Sequence, residues 1–99
     1  MKNTQGKSLS VEEAQGIATE ALLQLSRDPE QIGRFLAFSG IGPDMIREAA
    51  GEPGFLAGVL EFYMMDEALL LAFCENAGLR PTMMAAARYA LAGGDEFDA

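Results

Sequence analysis

Apolar positions recur along this chain at helical spacing, and no segment alternates in the manner of a strand. Val11, Ala14, Ala18, Ala21, Leu22 and Leu25 form a first stripe, and Ile32, Phe35, Leu36 and Ser39 a second. Met45, Ile46, Ala49 and Ala50 mark a short third segment, and Phe55, Leu56, Val59, Leu60, Tyr63 and Met64 a fourth. Ala68 to Cys74 is apolar nearly all round, with Leu70, Phe73, Cys74 and Ala77 as its inward face. The sixth segment opens at Pro81 and runs to about Leu91.

The punctuation between stripes agrees with this division. Ser10-Val11-Glu12-Glu13 is a capping box, in which serine and the third-position glutamate satisfy free amides at a helix start. Asp28-Pro29 supplies a cap and a proline at the first helical position, where no amide is needed. Gly40, Gly51 and Gly78 close helices, and Pro43, Pro53 and Pro81 open them. Asp66 predicts a fresh start after Met65, the alternative being one continuous helix through that point. The gaps are only a few residues, so sequential helices must lie antiparallel or cross closely. The expectation is an all-α, compact bundle of five or six short helices. The folded body spans residues 9–92, between an N-terminal tail at 1–8 and an acidic C-terminal tail at 93–99.

The hairpin punctuation also repeats. Gly40-Ile41-Gly42-Pro43-Asp44-Met45 returns as Gly78-Leu79-Arg80-Pro81-Thr82-Met83, 38 residues on. The same shift places Gly16 on Gly54, Leu22 on Leu60, Asp28 on Asp66, Phe35 on Phe73 and Ala49 on Ala87. Self-similarity of this kind predicts two related three-helix units.

Charge and chemistry narrow the function classes. The net charge is −8, and both lysines, Lys2 and Lys7, lie near the N-terminus. A charge of that sign repels phosphate backbones and anionic membranes. Glu61, Asp66 and Glu67 interrupt the apolar run from Phe55 to Cys74, which argues against a membrane helix. The first residues carry no apolar run of the secretory kind, and a lone cysteine suits a reducing compartment, so the expected location is cytoplasmic. Histidine is absent, which removes the commonest general base near neutral pH. Cys74 has no histidine to activate it and reads as a small buried hydrophobe. Zinc-type ligand clusters do not exist, and Asp28 and Asp66 already serve as caps. No cofactor, metal or catalytic residue is expected.

The candidate chemistry is therefore contact chemistry. Leu71 lies four residues from both Glu67 and Glu75, on the more polar side of its helix. Phe38 and Phe62 each fall beside their stripes, and Met65 belongs to a methionine-rich set that suits either core gaps or an adaptable surface. Leu71, Phe62, Phe38 and Met65 together form the expected partner surface, rimmed by carboxylates, for an unknown protein partner or a homodimer. The alternative is the Gly40-Ile41-Gly42 turn, which resembles the helix-hairpin-helix element that offers backbone amides to a phosphate. That resemblance implies a nucleic-acid-binding module, but Asp44 and Glu48 stand where such hairpins carry cations.

Several strings together, Asp28-Pro29-Glu30, Arg34-Phe35-Leu36-Ala37, Gly40-Ile41-Gly42-Pro43, Phe55-Leu56, Val59-Leu60-Glu61-Phe62 and Asp66-Glu67-Ala68-Leu69-Leu70, resemble the bacterial domain-of-unknown-function family numbered 3572. The resemblance implies a small bacterial cytosolic protein with no assigned activity and no catalytic residues to carry across. The expected function is a non-catalytic protein-interaction module.

Overall fold

Among the described residues, five of the six helices begin at a side-chain cap or a proline, and two end on a left-handed glycine. The computed structural model describes residues 9–93, and the expected tails, apart from Gly93, lie outside them. Helix α1 is Val11–Ser26, α2 is Pro29–Ser39, α3 is Ile46–Ala49, α4 is Pro53–Met64, α5 is Glu67–Ala77 and α6 is Pro81–Leu91. A 3-10 turn, Pro43–Met45, leads into α3. Both arms of the capping box are made, Glu13 N–H donating to Ser10 Oγ and Ser10 N–H to Glu13 Oε1, each at 3.0 Å. Asp28 Oδ1 accepts from the amides of Glu30 and Gln31, and Asp66 Oδ1 accepts from that of Leu69. The chain breaks at Met65-Asp66, so α4 and α5 are separate helices.

The 38-residue duplication holds at these boundaries. α5 is α2 moved by the shift, α4 ends where the shift places the end of α1, and the two closing glycines are both left-handed, Gly40 at φ 80° and Gly78 at φ 72°. Burial repeats as well: Ala18 and Leu56, Ala21 and Val59, Leu22 and Leu60, Leu25 and Tyr63, and Phe35 and Phe73 are buried pairwise. The backbone geometry gives a direct test. Gly78→Ala places a Cβ on a left-handed residue and is expected to cost about 1 kcal/mol. Gly33→Ala, inside α2 with open space around it, is expected to stabilise by about 0.5–1 kcal/mol. Urea denaturation of the two variants measures both.

The core is centred on α4, which packs against α1, α2, α5 and α6. It buries Leu56, Ala57, Val59, Leu60, Phe62 and Tyr63. Against it, α1 offers Ala14, Ala18 and Ala21, and α6 offers Ala87 and Ala90. Small side chains of this kind let helix backbones approach closely. Across this seam Tyr63 Oη–H donates to the Ala21 carbonyl at 2.7 Å, which satisfies the buried hydroxyl. The fifth segment, apolar nearly all round, is not the central helix. In α5 only Phe73 and Cys74 are buried, and Ala77, expected inside, is exposed.

Candidate functional site

Three of the four side chains expected on the partner surface are exposed. Leu71 is 47% exposed, Phe38 43% and Met65 66%. Phe62 is 5% exposed and has to be withdrawn from that surface. Its ring lies edge-on to Phe35 at 5.4 Å and against Phe38 at 5.5 Å, with the Arg34 guanidinium carbon 5.8 Å above it. α2 folds across α4 and covers the side on which Phe62 projects, a contact that the stripe of α4 alone does not encode. Arg34 stands four residues after Glu30 but finds its partners elsewhere. It bonds Gln31 Oε1 at 3.2 Å and reaches Asp66 Oδ2 at 3.8 Å, tying α2 to the start of α5.

The Gly40-Ile41-Gly42 turn has the left-handed glycine expected of a hairpin, but its second glycine is in an extended conformation that other residues adopt. What Gly42 accommodates is a carboxylate. Asp44 Oδ1 sits 2.9 Å from the place a Cβ would take there. Negative charge thus already stands beside the amides that a phosphate would approach.

The duplication fails at the third helix, and a groove opens there. In the second unit, α6 packs along both α4 and α1 with Met84 wholly buried. In the first unit the matching stretch is a 3-10 turn and a four-residue helix, because Gly51 and Pro53 end it early. The residues matching Ala90 and Leu91 are Glu52 and Pro53, so the short helix lacks the last two buried residues of α6. Between α1 and residues 43–50 lies an open groove of about 690 Å³. Leu22, Leu23, Pro43, Ile46 and Ala50 make its apolar lining, and Asp44 and Arg47 are its charged members.

The edge of that groove differs from its counterpart in kind. In the second unit, Arg88 Nη1 bonds Glu61 Oε2 at 3.1 Å and ties α6 to α4. The matching positions in the first unit are Ala50 and Leu23, both groove residues, and Leu23 is 46% exposed. Sequence reasoning missed this site, although the signal was present in the repeat: the shift replaces an acid and a base with two apolar residues.

A second trough, of about 410 Å³, lies between α1 and the α5–α6 corner. Ile17, Phe73, Leu79 and Met83 line it, with Glu13 and Glu20 along one wall. Cys74 is buried, and burial pushes its thiol up, away from the thiolate form. No cluster of three or more histidines, cysteines or carboxylates suited to a metal ion forms among the described residues, and none of their helices is long and apolar enough to cross a membrane.

Comparison with known proteins returns one finding. A family model described as protein of unknown function (DUF3572) matches residues 11–94. No curated protein and no solved structure matches the chain.

Proposed function

The chain belongs to the DUF3572 family of proteins of unknown function, and on that premise we propose that it is a non-catalytic protein-interaction module of the bacterial cytoplasm. Its seat for a partner is the groove between α1 and residues 43–50. One observation carries the reading: of two related units, one closes its third helix with an ion pair and the other leaves the same edge open and apolar. An apolar groove of several hundred cubic ångströms is large enough to take anchoring side chains from a partner. The charge of −8 opposes self-association and steers basic partners inward, so the partner is a different protein. Leu71, on α5, and Met65, just past the end of α4, lie outside this groove, and Leu71 serves as the control.

Leu23→Asp tests the proposal, because Leu23 is exposed and its replacement is expected to shift stability by only about 0.5 kcal/mol. Capture from a native lysate on immobilised chain, quantified by mass spectrometry, should recover a partner with wild type and with Leu71→Asp, and lose it with Leu23→Asp. Recovery unaffected by Leu23→Asp contradicts the assignment. Tight, salt-sensitive binding of duplex or single-stranded DNA overturns it in favour of the Gly40-Ile41-Gly42 turn.

A further inference from the structure

We infer that the trough between α1 and the α5–α6 corner is a separate binding site for a cationic amphipathic helix, which seats an apolar side chain over Ile17 and lays basic side chains along Glu13 and Glu20. The inference stands on different residues from the groove beside α3 and does not depend on it.

The chain contains its own template for what fills such a place. Under the 38-residue shift, Ile17 matches Phe55, Phe73 matches Phe35, Leu79 matches Ile41 and Met83 matches Met45. In that counterpart the Phe55 ring stands edge-on to Phe35 at 5.5 Å. On the trough side the smaller Ile17 faces Phe73. Ile17, Leu79 and Met83 are only half-buried, and Gly16 adds no side chain to the wall, with open space where its Cβ would stand. The missing volume is that of an aromatic or large aliphatic side chain, and it faces outward where a partner can supply it.

Charge fixes the rest of the occupant. Glu13 and Glu20 are seven residues apart on one face of α1, two helical turns, and both are exposed. Among the described residues, no basic side chain lines the trough. Glu20 takes the place of the uncharged Gly58 in the counterpart, so the acid is a feature of the open side alone. A partner helix with two basic residues seven apart and an apolar residue between them matches this wall and floor together. A second copy of the chain, with its charge of −8, does not.

The probe is a fluorescein-labelled synthetic helix with leucines on one face and flanking lysines spaced seven apart. An otherwise identical peptide with glutamate for lysine is the control, and fluorescence anisotropy reads both. The lysine peptide is expected to bind about tenfold or more tighter than the glutamate peptide, and less tightly as salt rises. Glu13→Gln/Glu20→Gln keeps the capping box, which accepts glutamine, and should weaken binding about fivefold or more. Glu30→Gln/Glu67→Gln removes the same charge elsewhere and should leave binding unchanged. Gly16→Leu should block the trough while the helical circular-dichroism spectrum persists. Amide chemical shifts of Ile17, Leu79 and Met83 should move on titration. Equal losses from the two glutamate pairs, or shift changes centred elsewhere, overturn the site and reduce the effect to net charge. Leu23→Asp is expected to leave peptide binding intact, which separates this result from that for the groove beside α3.

Discussion

Phe35→Ala is expected to destabilise the protein by about 3–5 kcal/mol, the range for emptying a buried aromatic site. Phe35 is fully buried. Three aromatic rings surround it: Phe55 at 5.5 Å and Phe62 at 5.4 Å, both edge-on, and Phe38 at 6.3 Å. Edge-to-face pairs add to the burial term, because ring edges are positive and faces negative. The cluster is also what holds α2 across α4, so its loss removes the contact that covers Phe62. In a domain whose whole stability is about 5–15 kcal/mol, a loss of this size leaves a fold close to its limit. Thermal unfolding followed by circular dichroism should show Tm lowered by at least about 12 °C. A drop of only a few degrees contradicts the aromatic cluster as the fastening of α2.

Tyr63→Phe is expected to cost about 1–2 kcal/mol at neutral pH, the worth of a buried hydroxyl bond between helices. The bond in question is the 2.7 Å donation to Ala21, joining α4 to α1. The same residue makes stability pH-dependent. Burial, and then the nearby Glu20 carboxylate, push the Tyr63 phenol well above the ordinary tyrosine value. The folded state therefore keeps its proton where the unfolded chain releases it. The contribution of Tyr63 is complete below about pH 10 and is lost as pH rises beyond it, by at most about 1.4 kcal/mol per pH unit. Urea unfolding of wild type at rising alkaline pH should show this decline, and Tyr63→Phe should make it shallower, leaving the part that the buried Cys74 thiol contributes. Equal declines in both proteins contradict Tyr63 as the source.

Local chemistry is what made the fold legible. Asp28, Asp66, the two left-handed glycines and the helix-opening prolines act within a turn of themselves, and their effects were readable residue by residue. The 38-residue repeat was readable for the same reason, since it is carried by those positions. Burial was harder, because it depends on which helix lies opposite. Phe62 was placed on the surface from the stripe of α4, but α2 covers it. The fifth segment had the most uniformly apolar stretch, but α4 is the helix with neighbours on several sides. Arg34 chose Asp66 over Glu30 because α2 and the start of α5 meet in space.

The groove beside α3 was hidden for a related reason. Leu23 and Ala50 are unremarkable on their own helices. They become informative only when set against Glu61 and Arg88, whose side chains meet in the second unit. A repeat that keeps its punctuation and changes its facing residues marks where two halves have parted in packing. Here they have parted at the third helix, where Gly51 and Pro53 stop what α6 continues.

The double variant Leu23→Glu/Ala50→Arg therefore tests the central claim most directly, since it writes the ion pair of the second unit into the edge of the first. Quantified partner capture from a native lysate, with urea unfolding alongside, is the measurement. The account predicts a protein at least as stable as wild type, with favourable coupling between the two substitutions and loss of the captured partner. Undiminished capture by a folded double variant would contradict the groove as the seat of the interaction.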